Sequence, residues 1–203
     1  MCGLVGESVL AEGAGAPDPT LLSAMGETLR HRGPDGAGQV VDTFFGLHHR
    51  RLAIIDLVTG QQPLLGPGGD QVVAFDGEIY NCLELRADLE SRGHRFQTQT
   101  DTEVLCHGYR EWGLDLVGRL RGMFAFALFD RRARRLLLAR DRLGKKPLYV
   151  ARLADRLLFA SEPKALLRHP RVGRALDPGA LWEALIFRYV PDPHCIFQGM
   201  QKL

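Results

Sequence analysis

An excess of charge of either sign is missing from this sequence: 26 basic residues face 24 acidic ones, for a formal net charge of +2 over 203 residues. So even a balance argues against nucleic acid or an anionic membrane surface as the main partner. Cysteine is scarce, and Cys2, Cys82, Cys106 and Cys195 are widely spaced with no Cys-x-x-Cys pair. Neither a zinc site nor a disulfide framework is expected, which suits a reducing compartment. No apolar run approaches the roughly 18 residues of a membrane span. The N-terminus lacks the basic-then-apolar pattern of an export signal, so a cytoplasmic protein is expected. Internal repeats and low-complexity segments are absent as well. What remains is 45% hydrophobic and 25% charged. That fits one globular domain, or one plus the start of another, with enough chain to bury a core unaided.

Hydrophobic periodicity and turn signals divide the chain. Residues 3–10 read as a strand entering the core. Leu21, Leu22, Met25 and Leu29 repeat at helical spacing, with Asp18 or Thr20 as cap and Gly33-Pro34 as the stop. Residues 38–57 read as two or three short strands ending in Leu52-Ala53-Ile54-Ile55. Val72 to Phe75 reads as a buried strand, and Leu83, Leu85 and Leu89 as a helix closed by Gly93. A second helix over Thr102–Trp112 has Asp101 or Thr102 as its cap. Met123 to Phe129 suits a strand buried on both faces, and Asp130 to Arg134 is a charged turn. Leu136–Ala139, Pro147–Ala151 and Leu157–Ala160 read as further strands, Glu162–Arg168 and Pro178–Phe187 as helices. The tail from Pro191 to Leu203 reads as irregular. Helices at both ends of many antiparallel strands imply a layered α+β arrangement.

The second residue carries the sharpest chemical signal. Removal of Met1 would leave Cys2 with a thiol and a free α-amine on one residue. An α-amine has a reference pKa of about 7.7–8.0, so it can serve as base to a neighbouring nucleophile. Read alone, Cys2 is more simply a small residue opening a buried strand.

Several segments carry a resemblance. Met1-Cys2-Gly3, Arg30 to Asp35 (Arg-His-Arg-Gly-Pro-Asp), Arg51 to Asp56, Gly77 to Asn81 (Gly-Glu-Ile-Tyr-Asn), Thr100 to Val104, Arg121 to Ala127, Arg140 to Leu148 and Phe159 to Glu162 follow one another in order. Together they resemble the N-terminal glutaminase domain of glutamine-dependent asparagine synthetase, a class II glutamine amidotransferase. The resemblance implies an N-terminal-nucleophile hydrolase fold, a four-layer α-β-β-α sandwich of two antiparallel sheets. It implies hydrolysis of glutamine to glutamate and ammonia, with Cys2 attacking the side-chain amide and its own amine shuttling protons.

By position in these motifs, Arg51 resembles the residue that grips the substrate α-carboxylate, which an Arg fork does bidentately. Asp101 resembles the partner of the α-ammonium, and Glu78 and Gly77 line the site. From the residues alone, Arg51 also reads as a surface ion pair and Asp101 as a helix cap. In the family pattern an Asn amide and the following Gly backbone N–H form the oxyanion hole. This sequence has Asp76-Gly77. An ionised Asp accepts only, and losing one oxyanion donor costs about 10²–10³ in rate. A weak or impaired glutaminase is therefore expected, with Asp76→Asn raising the rate. Arg30-His31-Arg32 is expected to brace loops beside the site, and Arg140-Asp141-Arg142 to organise buried backbone or an ammonia route. The Arg131–Arg135 run is read as a solvated turn, and His48 and His49 as structural.

The domain organisation expected is an amidotransferase domain over 1–176, followed by a helix and tail over 177–203 leading toward a synthetase domain outside this sequence. No metal and no cofactor are expected in this chain, since ATP and Mg would belong to the synthetase domain. The partners implied are glutamine and a synthetase domain or subunit, with a homodimer left open and no nucleic acid or membrane. Two alternatives stand beside the main reading: a glutamine-binding or interaction module with little turnover because of Asp76, and an amidotransferase domain serving another acceptor.

Overall fold

The computed structural model describes all 203 residues. In chain order the elements are β1 (Gly3–Val9), α1 (Pro19–Glu27), β2 (Gly36–Val41), β3 (Phe45–Arg51), β4 (Leu64–Leu65), β5 (Gln71–Ile79), α2 (Cys82–Ser91), α3 (Thr102–Trp112), α4 (Leu116–Arg119), β6 (Gly122–Asp130), β7 (Arg135–Arg140), β8 (Tyr149–Arg152), β9 (Arg156–Ala160), α5 (Pro163–Leu166), α6 (Pro178–Phe187) and β10 (Met200–Lys202). They build a six-stranded sheet, ordered β10-β8-β9-β1-β3-β2, and a four-stranded sheet, ordered β4-β5-β6-β7. Every recorded strand pair is antiparallel.

The period-2 alternation of side chains sorts the core into three layers. On β6, Ala125, Ala127 and Phe129 face the other sheet, where they meet Leu4, Phe45 and Leu47. Phe124, Phe126 and Leu128 face the opposite way, onto Leu89 of α2 and Leu105 of α3. Beyond the six-stranded sheet, Val5 and Leu158 pack on Leu22 and Met25 of α1 and Leu166 of α5. The result is four layers, helix–sheet–sheet–helix. The rings of Phe45 and Phe129 stack across the middle with centroids 3.9 Å apart.

Local signals explain the ends of α1. Asp18 caps it by accepting from Thr20 N at 2.8 Å and Leu21 N at 3.3 Å, worth about 1 kcal/mol, and Pro19 occupies the first turn. The arginine run forms the tip of the β6–β7 hairpin, which joins Asp130 to Arg135.

Three expectations are corrected. Leu52-Ala53-Ile54-Ile55 is not strand: β3 ends at Arg51 and the run crosses the surface as a loop, with Ile54 73% exposed. The tail is not wholly irregular. Met200–Lys202 pairs with β8 as the edge of the larger sheet, and Cys195 and Met200 are buried against the α1 layer. Asp101 precedes α3 but its side chain does not cap it. Elsewhere α6 buries only Ala180, leaving Trp182, Leu185, Ile186 and Phe187 exposed. No helix is long and apolar enough to cross a membrane.

Candidate active site

Antiparallel pairing of β1 with β3 sets Gly3 opposite Arg50, so the start of the chain lies beside the end of β3. The end of β5 and the approach to α3 meet it from the other sheet. Between them is a cleft of about 180 Å³, and Cys2, Arg51, Asp76, Gly77, Glu78 and Asp101 all line it. Residues nearly a hundred positions apart thus share one opening. Neither His48 nor His49 lies on it. His49 is fully buried and bonds Phe75 O at 3.0 Å, and burial lowers its pKa to about 4.

The Cys2 Sγ lies against the Leu52 peptide, 3.4 Å from its N and 3.7 Å from its O. Burial pushes the thiol above its ordinary pKa; the Leu52 contact opposes this, and the charge of Asp76 adds to it. At neutral pH the group is a thiol, so nucleophilic use requires a base. With Met1 in place, the Cys2 nitrogen is a peptide nitrogen and cannot be that base.

Arg32, just beyond α1, ties the site together. Its Nε donates to Cys2 O at 2.8 Å, Nη2 to Asp76 Oδ2 at 2.7 Å and Nη1 to Glu162 Oε1 at 3.1 Å. His31 also meets Glu162, at 3.0 Å. The Arg30–Asp35 segment therefore braces the Cys2 backbone.

Asp76 is 1% exposed and accepts from Arg32. Its second oxygen, Oδ1, has no hydrogen-bond donor and lies 3.8 Å from Lys146 Nζ. At the position where the family pattern has an amide donor, this chain holds an acceptor between two cations. The next residue has no room for a side chain, since a Cβ on Gly77 would run into Met123 O and the Phe124 backbone. Along this edge of β5, Phe75 N donates to Gln62 Oε1 at 2.7 Å and Ile79 N to Asp101 Oδ2 at 3.0 Å. Strand alternation points the Gly77 N–H the same way, between those two and toward the cleft.

Arg51 spends three of its five N–H groups on the carbonyls of Ile55, Asp56 and Leu57. That fastens the loop crossing the cleft and leaves two donors. Asp56 secures the same loop by accepting from Thr59 and, at 2.8 Å, from Gln99 N, which brings its pKa down to about 2. Asp101, freed from capping, is buried. Desolvation raises its pKa, the Ile79 N–H opposes that, and nearby Glu78 adds to it.

Sequence reasoning missed Lys146. Its side chain is 7% exposed and on the cleft lining. The available signal was a second charged residue directly before the apolar Pro147-Leu148 in the Arg140–Leu148 segment. Asp141 of that segment does organise backbone: despite the cost of burial its pKa is held low, because it accepts from the N–H groups of Phe124, Leu143, Lys145 and Lys146. No cluster of side chains suited to a metal ion occurs.

Comparison with known proteins places the chain in a family. Residues 1–203 match the family described as glutamine amidotransferase domain. The chain belongs to that family. This amidotransferase domain is 39% identical over its whole length to asparagine synthetase [glutamine-hydrolyzing] 1 of Bacillus subtilis, covering 32% of that protein. It is 42% identical over 91% of its length to the asparagine synthetase [glutamine-hydrolyzing] of Zea mays, covering 31% of it. The domain thus spans about a third of the length of these relatives. Among solved structures it resembles the glutamine phosphoribosylpyrophosphate amidotransferase of B. subtilis, with a TM-score of 0.67 and 26% identity over 81% of this chain and 43% of that one. Its fold is that of the N-terminal-nucleophile hydrolases.

Proposed function

We propose that this domain hydrolyses the side-chain amide of glutamine to glutamate and ammonia, with Cys2 as nucleophile once Met1 is removed. The observation that carries the reading is the convergence of Cys2, a guanidinium with unspent donors (Arg51) and a buried carboxylate (Asp101) on one cleft. That set offers a cation for an α-carboxylate, an anion for an α-ammonium and sulfur for the amide carbon.

The freed α-amine takes the thiol proton as Sγ attacks, which answers the raised thiol pKa. The Gly77 N–H donates to the developing oxyanion. The amine's proton leaves with ammonia, and water then cleaves the thioester. Arg32 keeps the Cys2 backbone in place and Glu78 borders the substrate. These steps use only the chain's own residues and water; ATP and Mg would belong to a synthetase domain.

The ammonia acceptor we propose is the asparagine-forming chemistry for which the relatives are named, on a domain or subunit beyond these residues. The apolar face of α6, with Trp182, Leu185 and Phe187 exposed, suits contact with such a unit. The test is ammonia release from glutamine by protein whose mass shows Met1 lost, beside Cys2→Ala. Release that depends on Cys2 supports the reading. Glutamine binding without release would identify a binding module instead.

A further inference from the structure

Resting on the glutaminase reading, we infer that Lys146 is a further catalytic residue: its ammonium supplies the oxyanion donor that Asp76 cannot. The first observation is its anchoring. Lys146 N donates to Asp141 Oδ2 at 3.0 Å and Lys146 O accepts from Arg140 Nε at 2.9 Å. Both backbone groups are fixed, so the side chain alone is adjustable. The second is that this side chain is nine-tenths buried, lies on the cleft lining and makes no hydrogen bond to the protein. Its nearest counter-charge is Asp76 Oδ1, at 3.8 Å, beyond hydrogen-bond reach. The ammonium thus ends at the cleft with no acceptor taken up by the protein, so its N–H groups are free for an acceptor that arrives with substrate.

The third observation concerns position. Asp76 Oδ1 has no donor of its own, while Arg32 saturates Oδ2. The ammonium therefore stands next to the oxygen that replaces the missing amide donor. Lys146 compensates twice, neutralising the carboxylate and offering N–H groups.

In the chemical step the Cys2 thiol proton passes to the Cys2 α-amine as the Sγ–C bond forms, and the carbonyl π pair moves onto oxygen. Lys146 remains an ammonium throughout and donates one hydrogen bond to that oxygen. The pair returns to carbon as the C–N bond breaks, and the amine's proton leaves with ammonia.

The test is a double-mutant cycle on protein with a free Cys2 amine, measuring ammonia release from glutamine for wild type, Lys146→Met, Asp76→Asn and the double variant. Lys146→Met is expected to lower kcat about 10²–10³-fold with KM nearly unchanged, and Lys146→Arg to recover most of the loss. In the Asp76→Asn background, where an amide donor is restored, the same Lys146→Met change is expected to cost less than about tenfold. Labelling of Cys2 by a diazo-ketone glutamine mimic shows that each variant is folded around its nucleophile. Equal losses in both backgrounds, or no loss in either, overturn the role of Lys146 while leaving the glutaminase reading intact. An inactive wild type that Asp76→Asn rescues, with release dependent on Cys2, does the same. If neither protein releases ammonia, both readings fall.

Discussion

The space between the two sheets has two regions of opposite chemistry. Its middle is apolar: Phe45 and Phe129 stack, with Leu47, Ala125 and Ala127 around them. At one end the same layer holds Arg32, Asp76 and Lys146, all buried. One strand contributes to both, since β5 sends Val72 and Ala74 into the apolar part and Asp76 into the charged end. The apolar region earns its place through stability. Burying charges rarely adds stability, so the charged end has no such reason to exist and is where the proposed chemistry sits.

Four experiments probe that contrast. Cys2→Ala, at the charged end, should cut glutamine hydrolysis on the order of 10⁴–10⁶-fold, read as ammonia release, with the melting temperature nearly unmoved. Phe129→Ala, in the middle, should do the reverse. It should destabilise the fold by about 3–5 kcal/mol in urea titration, while the protein still folded keeps its kcat. Arg51→Lys removes the fork without removing the charge. KM for glutamine should rise about tenfold or more, since a charged hydrogen bond is worth about 1.5–3 kcal/mol. The smallest effect is on pH. Thiolate forms as pH rises through the thiol pKa, which burial and the Asp76 charge hold up. Asp76→Asn removes one of those causes, so the midpoint for Cys2 alkylation should move to lower pH, by up to about one unit. A midpoint unchanged or higher would show that Asp76 does not act on the sulfur.

The apolar region was the legible one. The unbroken apolar run Met123–Phe129 is intrinsic to the strand, and it announces two buried faces without knowledge of what packs on them. The charged end was readable only as residue identities in ordered motifs. That Asp101 bonds Ile79 N instead of capping α3 depends on a contact across 22 positions, which no local pattern displays. Lys146 stayed hidden because a lysine's burial leaves no mark in composition. The apolar run Leu52–Ile55 misled in the other direction. Its hydrophobicity reads as strand, yet Arg51 turns back to bind the carbonyls just beyond it and draws the chain into a loop. β10 was invisible because three residues carry no periodicity, and pairing with β8 alone defines it.

The hold of Arg51 on the carbonyls of residues 55–57 has one more consequence. The group proposed to greet a carboxylate is also the clasp of the flap above it, and that flap displays Ile54, Leu57 and Val58 to solvent. A ligand that takes the two remaining donors of this guanidinium shares it with three backbone oxygens and so bears on the loop they belong to. Occupancy should therefore be legible from outside, as a change in how readily a protease nicks the chain between residues 52 and 60.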